Sequence, residues 1–220
     1  MVADLVRRIV SDPEAAARLA LWRLEQDPVA AHVPPGSRPA LVAGAAAAGA
    51  ALARRMRAGE RRPTEELLRE AGVRIVEDAG DDAVACFIHH AVYTAPPPTV
   101  TLYRRSVIAL ERVLAAEGLR ARLGDVEVRE LILTHELFHH LIEQNGAPAG
   151  VRPRVDLMRI GRWRRQATVH AAEEIAAAAF VTAWHELAWP AELLDLLTLV
   201  AYEAPLPVIF ATLVENAGLL

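Results

Sequence analysis

The sequence predicts an α+β fold, mainly helical, with a small three-stranded sheet, and three observations carry that expectation. Hydrophobic residues make up 53% of the 220 positions and charged residues 24%, so the chain can bury a real core and is far from the composition of disorder. Long stretches such as Leu41 to Ala53 and Ala171 to Ala183 are built of alanine, the strongest helix former. Against them stand three short segments, Val73 to Glu77, Ala83 to Ile88 and Thr99 to Tyr103, rich in β-branched and apolar residues and bounded by Gly, Asp and Pro.

Taken in order, residues 1–60 read as a helical cap. Met1 to Val10 and Asp12 to Gln26 are expected helices, the second opening on Asp12-Pro13-Glu14 with proline in the first turn, where its missing N–H costs nothing. Pro34-Pro35-Gly36-Ser37 predicts a turn before an Ala-rich helix that starts near Arg38. That helix is too short, and too poor in Leu and Ile, to span a bilayer, so it reads as buried and closely packed. A helix-turn-helix module is the competing reading, and the lack of a basic recognition helix argues against it.

Residues 61–190 are expected to form the main domain. Thr64 is read as the cap of a short helix ending at Gly72, and the first two strands as a hairpin around Gly80-Asp81-Asp82. Ser106 to Leu123 reads as a helix. The next runs from a cap at Asp125 to a stop at Asn145-Gly146, and the Pro/Gly-rich stretch Ala147 to Arg154 as a loop beside a cleft. From Val155 or Arg165 to Trp189 the pattern is taken as helical. Residues 191–220 contribute two apolar helices, Ala191 to Tyr202 and Pro207 to Asn216, which close the core or offer a homodimer face.

Charge and cysteine content exclude several functions. The formal net charge is −4, which gives no reason to expect nucleic acid or an anionic membrane as partner. All 24 basic residues are arginine, so most Arg clusters are discounted as solvated faces; Arg162-Trp163-Arg164-Arg165 alone invites a test for an acidic partner. The single Cys86 forms no internal disulfide and reads as a buried strand residue. With no signal peptide evident before Val10, a cytoplasmic location is expected.

Chemistry concentrates in Leu131 to His140. His135 and His139 lie four apart, on one helix face, and can present two imidazole nitrogens to one metal ion. Glu136 sits about 100° round the axis, beside that ion and within reach of a water it activates. The spacing assigns two ligands and a general base. Catalytic sites use three protein ligands, so a third belongs downstream, where Glu173 and Glu174 interrupt an Ala-rich helix. A core face of Val169, Ala172, Ala176, Ala179 and Ala183 leaves Glu173 at its border and Glu174 on the polar side, and His170 is a further alternative. His89, His90, Tyr93 and Tyr103 sit at strand ends where a side chain can stabilise an oxyanion, although turn and core-edge roles are commoner. His140 points about 100° away from His139 and is read as lying behind the ligand or at the surface. His32 and His185 are read as surface residues.

His135-Glu136-Leu137-Phe138-His139, followed by Glu174-Ile175-Ala176-Ala177-Ala178-Ala179-Phe180-Val181, resembles the zinc peptidases of the ImmA/IrrE family. Glu65 to Val76 is similar to that family's entry, a short helix passing through glycine into the first strand. The likeness covers roughly residues 62–190. Ala178 stands where the family carries Asn or Asp, the Leu-Leu-x-Pro segment is displaced to Leu187-Ala188-Trp189-Pro190, and the helix Ser106 to Leu123 is additional. The resemblance implies a zincin-like domain binding Zn2+ through His135, His139 and Glu174, with Glu136 as base and a sheet edge that holds extended substrate. It implies hydrolysis of a protein or peptide substrate, with limited cleavage of a regulatory protein. The rival expectation is a regulator without enzymatic activity, stabilised by zinc and acting through protein binding.

Overall fold

The chain begins with α1 (Val2–Ser11) and α2 (Ala15–Glu25) in the computed structural model, which describes residues 2–60, 62–80, 82–84, 87–116, 118–124 and 127–202. Cys86, Asp125 and the expected helix Pro207 to Asn216 lie outside those residues. The Asp12 carboxylate accepts the Glu14 N–H at 2.9 Å, and so fixes the turn into α2 where the sequence placed it. Two 3-10 turns, at 30–32 and 35–37, lead into α3 (Arg38–Arg57). Its buried stripe, Val42, Ala45, Gly49 and Ala53, has helical spacing.

Helix α4 (Thr64–Glu70) is not capped by Thr64, which is its first residue. The Glu130 carboxylate does that work from another element, accepting the Thr64 N–H at 2.8 Å and the Thr64 hydroxyl at 2.6 Å. A negative charge at a helix start meets the unpaired N–H groups and the positive end of the dipole together.

The sheet has three strands, as expected, but their membership differs. Strand β1 (Arg74–Asp78) runs parallel to β5 (Thr99–Tyr103), and β5 is antiparallel to β4 (Ala91–Thr94), giving the order β1-β5-β4. The second expected strand leaves the sheet as a separate hairpin, β2 (Asp82–Val84) with β3 (Phe87–His89). The expected hairpin at Gly80 is replaced by two other pairings: β1 pairs in parallel with a strand about 25 residues on, which requires a crossover, and β2 pairs with β3. The Ser106 to Leu123 helix is likewise divided, into α5 (Arg104–Ala116) and α6 (Arg120–Leu123).

Helix α7 (Val128–Asn145) ends where Gly146 was expected to stop it. It packs against α4, α5, β4 and a later helix, α8 (His170–Trp184), so it is apolar around most of its circumference. Phe138 and Phe180 meet across the α7–α8 seam with ring centroids 5.6 Å apart, both fully buried. Each contributes roughly 1.5–3 kcal/mol relative to exposure.

Between α7 and α8 the helical reading of Val155 to Arg165 fails. Strand β6 (Arg154–Ile160) pairs antiparallel with β7 (Trp163–Thr168), and α8 begins only at His170. Gly161, at φ 58°, starts the two-residue turn, a conformation that L side chains resist and that suits a tight hairpin.

Helix α3 lies along α8 at very close range. A Cβ added at Gly49 would stand 1.9 Å from the Ala176 carbonyl oxygen, so the backbones touch only because position 49 has no side chain. The α8 start is held by Asp27, whose buried carboxylate accepts the Ala171 N–H at 2.7 Å. The chain continues into α9 (Leu193–Ala201), which packs on α5. Residues of α1 to α3 share one apolar core with α7, α8 and α9. No helix among the described residues is long and apolar enough to cross a membrane.

Candidate metal centre

The α7–α8 seam ends in a polar cluster. His135 and His139 project from successive turns of α7, and Glu174 reaches across from α8. His135 Nε2 and His139 Nε2 are 3.1 Å apart. Glu174 Oε2 lies 3.3 Å from His135 Nε2, and Oε1 lies 3.6 Å from His139 Nε2. Bonds of about 2.0–2.2 Å to a tetrahedral zinc require ligand atoms about 3.3–3.5 Å apart; the two nitrogens stand a little inside that spacing, Glu174 brings a different oxygen close to each of them, and one ligand atom from each of the three residues lies within 4.8 Å of the others. The donor set therefore fits one small cation, with two imidazoles and one carboxylate oxygen as ligands.

Of the two candidate carboxylates, Glu174 faces the Nε2 atoms and Glu173 does not. Glu173 Oε1 instead accepts the Nδ1–H of His139 at 2.9 Å. In the neutral ring that bond keeps the His139 proton on Nδ1 and directs Nε2 at His135 and Glu174, the tautomer a metal ligand needs. Arg152 fixes Glu173 in turn, with Nε to Oε2 at 2.6 Å and Nη2 to Oε1 at 3.2 Å. Glu174 is steadied by Arg23 of α2, whose Nη2 lies 3.4 Å from Oε2 while Nη1 reaches Asp195 at 3.5 Å.

The electrostatics suit a cation. Burial raises the Glu173 carboxyl, but hydrogen bonds from His139 and Arg152 outweigh it and bring it down to about 2. Glu174 is also penalised by burial, yet the His135 bond and the charges of His139, His135 and Arg23 hold it well below the usual carboxylate range. Burial lowers His139, and Glu173, Glu174 and Glu136 more than reverse this, raising it to about 9. Glu136 is only 5% exposed, and burial pushes its carboxyl above the ordinary value despite the neighbouring histidines. The Tyr93 backbone N–H of β4 donates to it. A carboxylate raised in this way is a stronger base than an exposed one.

The cluster opens on a cleft of about 620 Å³, bordered by Arg23, Tyr93, His139, Arg152 and the β4 edge from Ala91 to Ala95. A smaller cavity, about 130 Å³, shares His135, Glu136 and Glu174 and runs inward to Ile132, Val181 and Leu194.

The remaining sequence candidates separate. His170 is exposed at the start of α8 and lies outside the ligand group. His140 is buried and bonds the Tyr93 hydroxyl through Nδ1 at 3.1 Å. His89 is exposed at the cleft rim, His90 bonds Thr198 Oγ1 at 2.5 Å, and Tyr103, half-buried, is not among the residues bordering the cleft. His32 is exposed as expected, but His185 is no surface residue: its Nε2 lies 2.8 Å from Thr134 Oγ1, and burial draws its pKa down to about 4. Arg23 and Arg152 were not anticipated. Arg152 stands in the loop assigned to the cleft, whereas nothing local marks Arg23 among 24 arginines.

No protein-family model, curated protein or solved structure matches this chain.

Proposed function

We propose that this protein is a zinc-dependent peptidase of the ImmA/IrrE kind, a cytoplasmic enzyme that makes limited cuts in a regulatory protein. The observation that carries the reading is the convergence of His135, His139 and Glu174, whose ligand atoms lie within 4.8 Å of one another, with the buried Glu136 carboxylate beside them. Zinc held by these three residues supplies Lewis acidity, polarising the scissile carbonyl and lowering the pKa of a water toward about 7.

The protein's own groups do the rest. Glu136, raised by burial, takes a proton from the attacking water and passes it to the leaving amine. Glu173, clamped by Arg152, keeps His139 in its ligand tautomer, and Arg23 orients Glu174. Strand β4 is an edge of its sheet, and its Ala91–Ala95 stretch borders the cleft, so an extended peptide can add to it through main-chain hydrogen bonds while its carbonyl approaches Glu136.

The test is Glu136→Gln beside wild type, with bound zinc measured by plasma mass spectrometry and hydrolysis measured on an internally quenched peptide library. We expect zinc to be retained and turnover to fall about 10²–10⁴-fold. Full activity in the Gln variant, or wild-type protein that stays metal-free after refolding with zinc, would overturn the reading. A regulator acting through binding alone would lose no function in that variant.

A further inference from the structure

The β6–β7 hairpin emerges from the rim of the cleft, immediately after Arg152 and immediately before α8. From Arg154 to Thr168 it carries five arginines and one acidic residue, Asp156, in a chain whose formal net charge is −4. The strand register sorts them. Opposed pairs share a face, so Val155 with Ala167, Met158 with Arg165, and Trp163 beyond them lie on one side. At its base that side is closed by Val155 packing on the core. Toward the tip it stays apolar and is uncovered, with Met158 43% and Trp163 55% exposed.

On the opposite side, which also carries Arg154 and Arg159, Gln166 Nε2 donates to Asp156 at 2.8 Å, and Arg164 lies 3.8 Å from the same carboxylate. Arg165 on the uncovered face and Arg162 in the adjoining turn, by contrast, have no carboxylate partner among the described residues. The uncovered face thus joins an aromatic ring and a thioether to free guanidinium groups, and its complement is a segment with carboxylates and a bulky apolar side chain.

We propose that this face of the hairpin docks an acidic segment of the protein substrate, outside the bond that is cut. The word substrate rests on the peptidase reading; the docking itself does not. A polyanion extending from the hairpin would meet Glu143, Glu173, Glu174 and Asp195 along the cleft and its neighbouring cavity, which favours a local acidic peptide over nucleic acid.

Binding is measured by fluorescence anisotropy on full-length Glu136→Gln protein, which does not consume the probe, a short labelled peptide of Glu and Asp around a central Phe. We expect binding at low salt that weakens as salt screens it, and no binding of the same peptide with Gln and Asn in place of its acids. Arg162→Glu/Arg165→Glu weakens binding about tenfold or more, and Trp163→Ala about fivefold or more. Reversing the exposed pair Arg54 and Arg55 on α3 leaves it unchanged. Equal affinity in the hairpin variants overturns the proposal, as does equal or tighter binding of an oligothymidine of the same charge. If the protein proves to be no peptidase, the anisotropy result still stands. If the docking proposal fails, cleavage of the peptide library is untouched.

Discussion

Helix α7 carries two polar clusters on nearly opposite sides of its axis. Toward the cleft, His135, Glu136 and His139 face Glu173 and Glu174; on the other side, Glu130 and Thr134 face Thr64 and His185. The second cluster closes on itself. Glu130 accepts from the Thr64 N–H and hydroxyl, Thr134 donates to the Glu130 carbonyl at 2.8 Å, and His185 donates to Thr134. In the first, two imidazole lone pairs and a carboxylate converge within 4.8 Å of one another, and negative charge gathers around them. A closed network fixes the register of neighbouring elements and needs nothing further. A converging one is stable only with a proton or a cation at its focus, and so it is the side that can do chemistry.

Both clusters depend on where α8 sits, since Glu173 and Glu174 lie near its start and His185 caps its end. The largest expected effect therefore comes from between them. Gly49→Val forces a side chain into a space where a single carbon already stands 1.9 Å from the Ala176 oxygen. Pushing α3 from α8 should cost about 3 kcal/mol or more of unfolding free energy, read by urea titration, and lower the melting temperature by about 6–12 °C. A variant as stable as wild type would mean that α8 tolerates displacement, and the two clusters could not share it as a common scaffold.

Glu173→Ala separates the clusters. It removes the acceptor that orients His139 and leaves Thr134 and His185 alone. Zinc affinity, measured against a chromophoric chelator, should fall about 10–100-fold, and the metal-free protein should lose some stability at neutral pH as well, because the bonds that bring Glu173 down to about 2 and raise His139 to about 9 go with the carboxylate. Unchanged zinc affinity would show that packing by Phe138 and Phe180 orients the imidazole without the carboxylate.

What the sequence revealed divides along the same line. His135, Glu136 and His139 were legible because their relation is local, fixed by helical periodicity. Glu174 was not legible from amphipathicity, which set it on the polar side of α8: the face it occupies is a cleft, and a cleft is polar without being the outside of the molecule. His185 was misread for the complementary reason, as its partner Thr134 is 51 residues away and leaves no trace in the local pattern. The β6–β7 hairpin did leave one, Gly161 between two short segments of mixed polarity, but the strong helical signal of α8 was extended over it. The order β1-β5-β4 depends on pairing choices between distant strands, which periodicity does not encode.

The smallest expected effect tests whether the back cluster is closed. His185 is drawn down to about 4, chiefly by burial and further by Arg57, against the pull of Glu130. Unfolded histidine titrates near 6.5. Above that value both states are neutral and the Thr134 bond contributes fully. As pH falls from about 6.5 to 4 the unfolded chain takes up a proton that the folded protein refuses, so stability declines; below about 4 both states are protonated and the decline stops. His90, also near 4, adds a parallel loss, and Glu192, raised by burial to about 7, acts in the opposite sense as pH drops from 7 toward 4.5. The net profile mixes all three, and a difference isolates one. His185→Gln, whose amide can still bond Thr134, should lose about 2–4 °C less in melting temperature than wild type between pH 7.5 and pH 4.5. Parallel profiles for the two proteins would mean that the folded protein accepts a proton at His185 without cost, against the burial and the Arg57 charge that hold its pKa down.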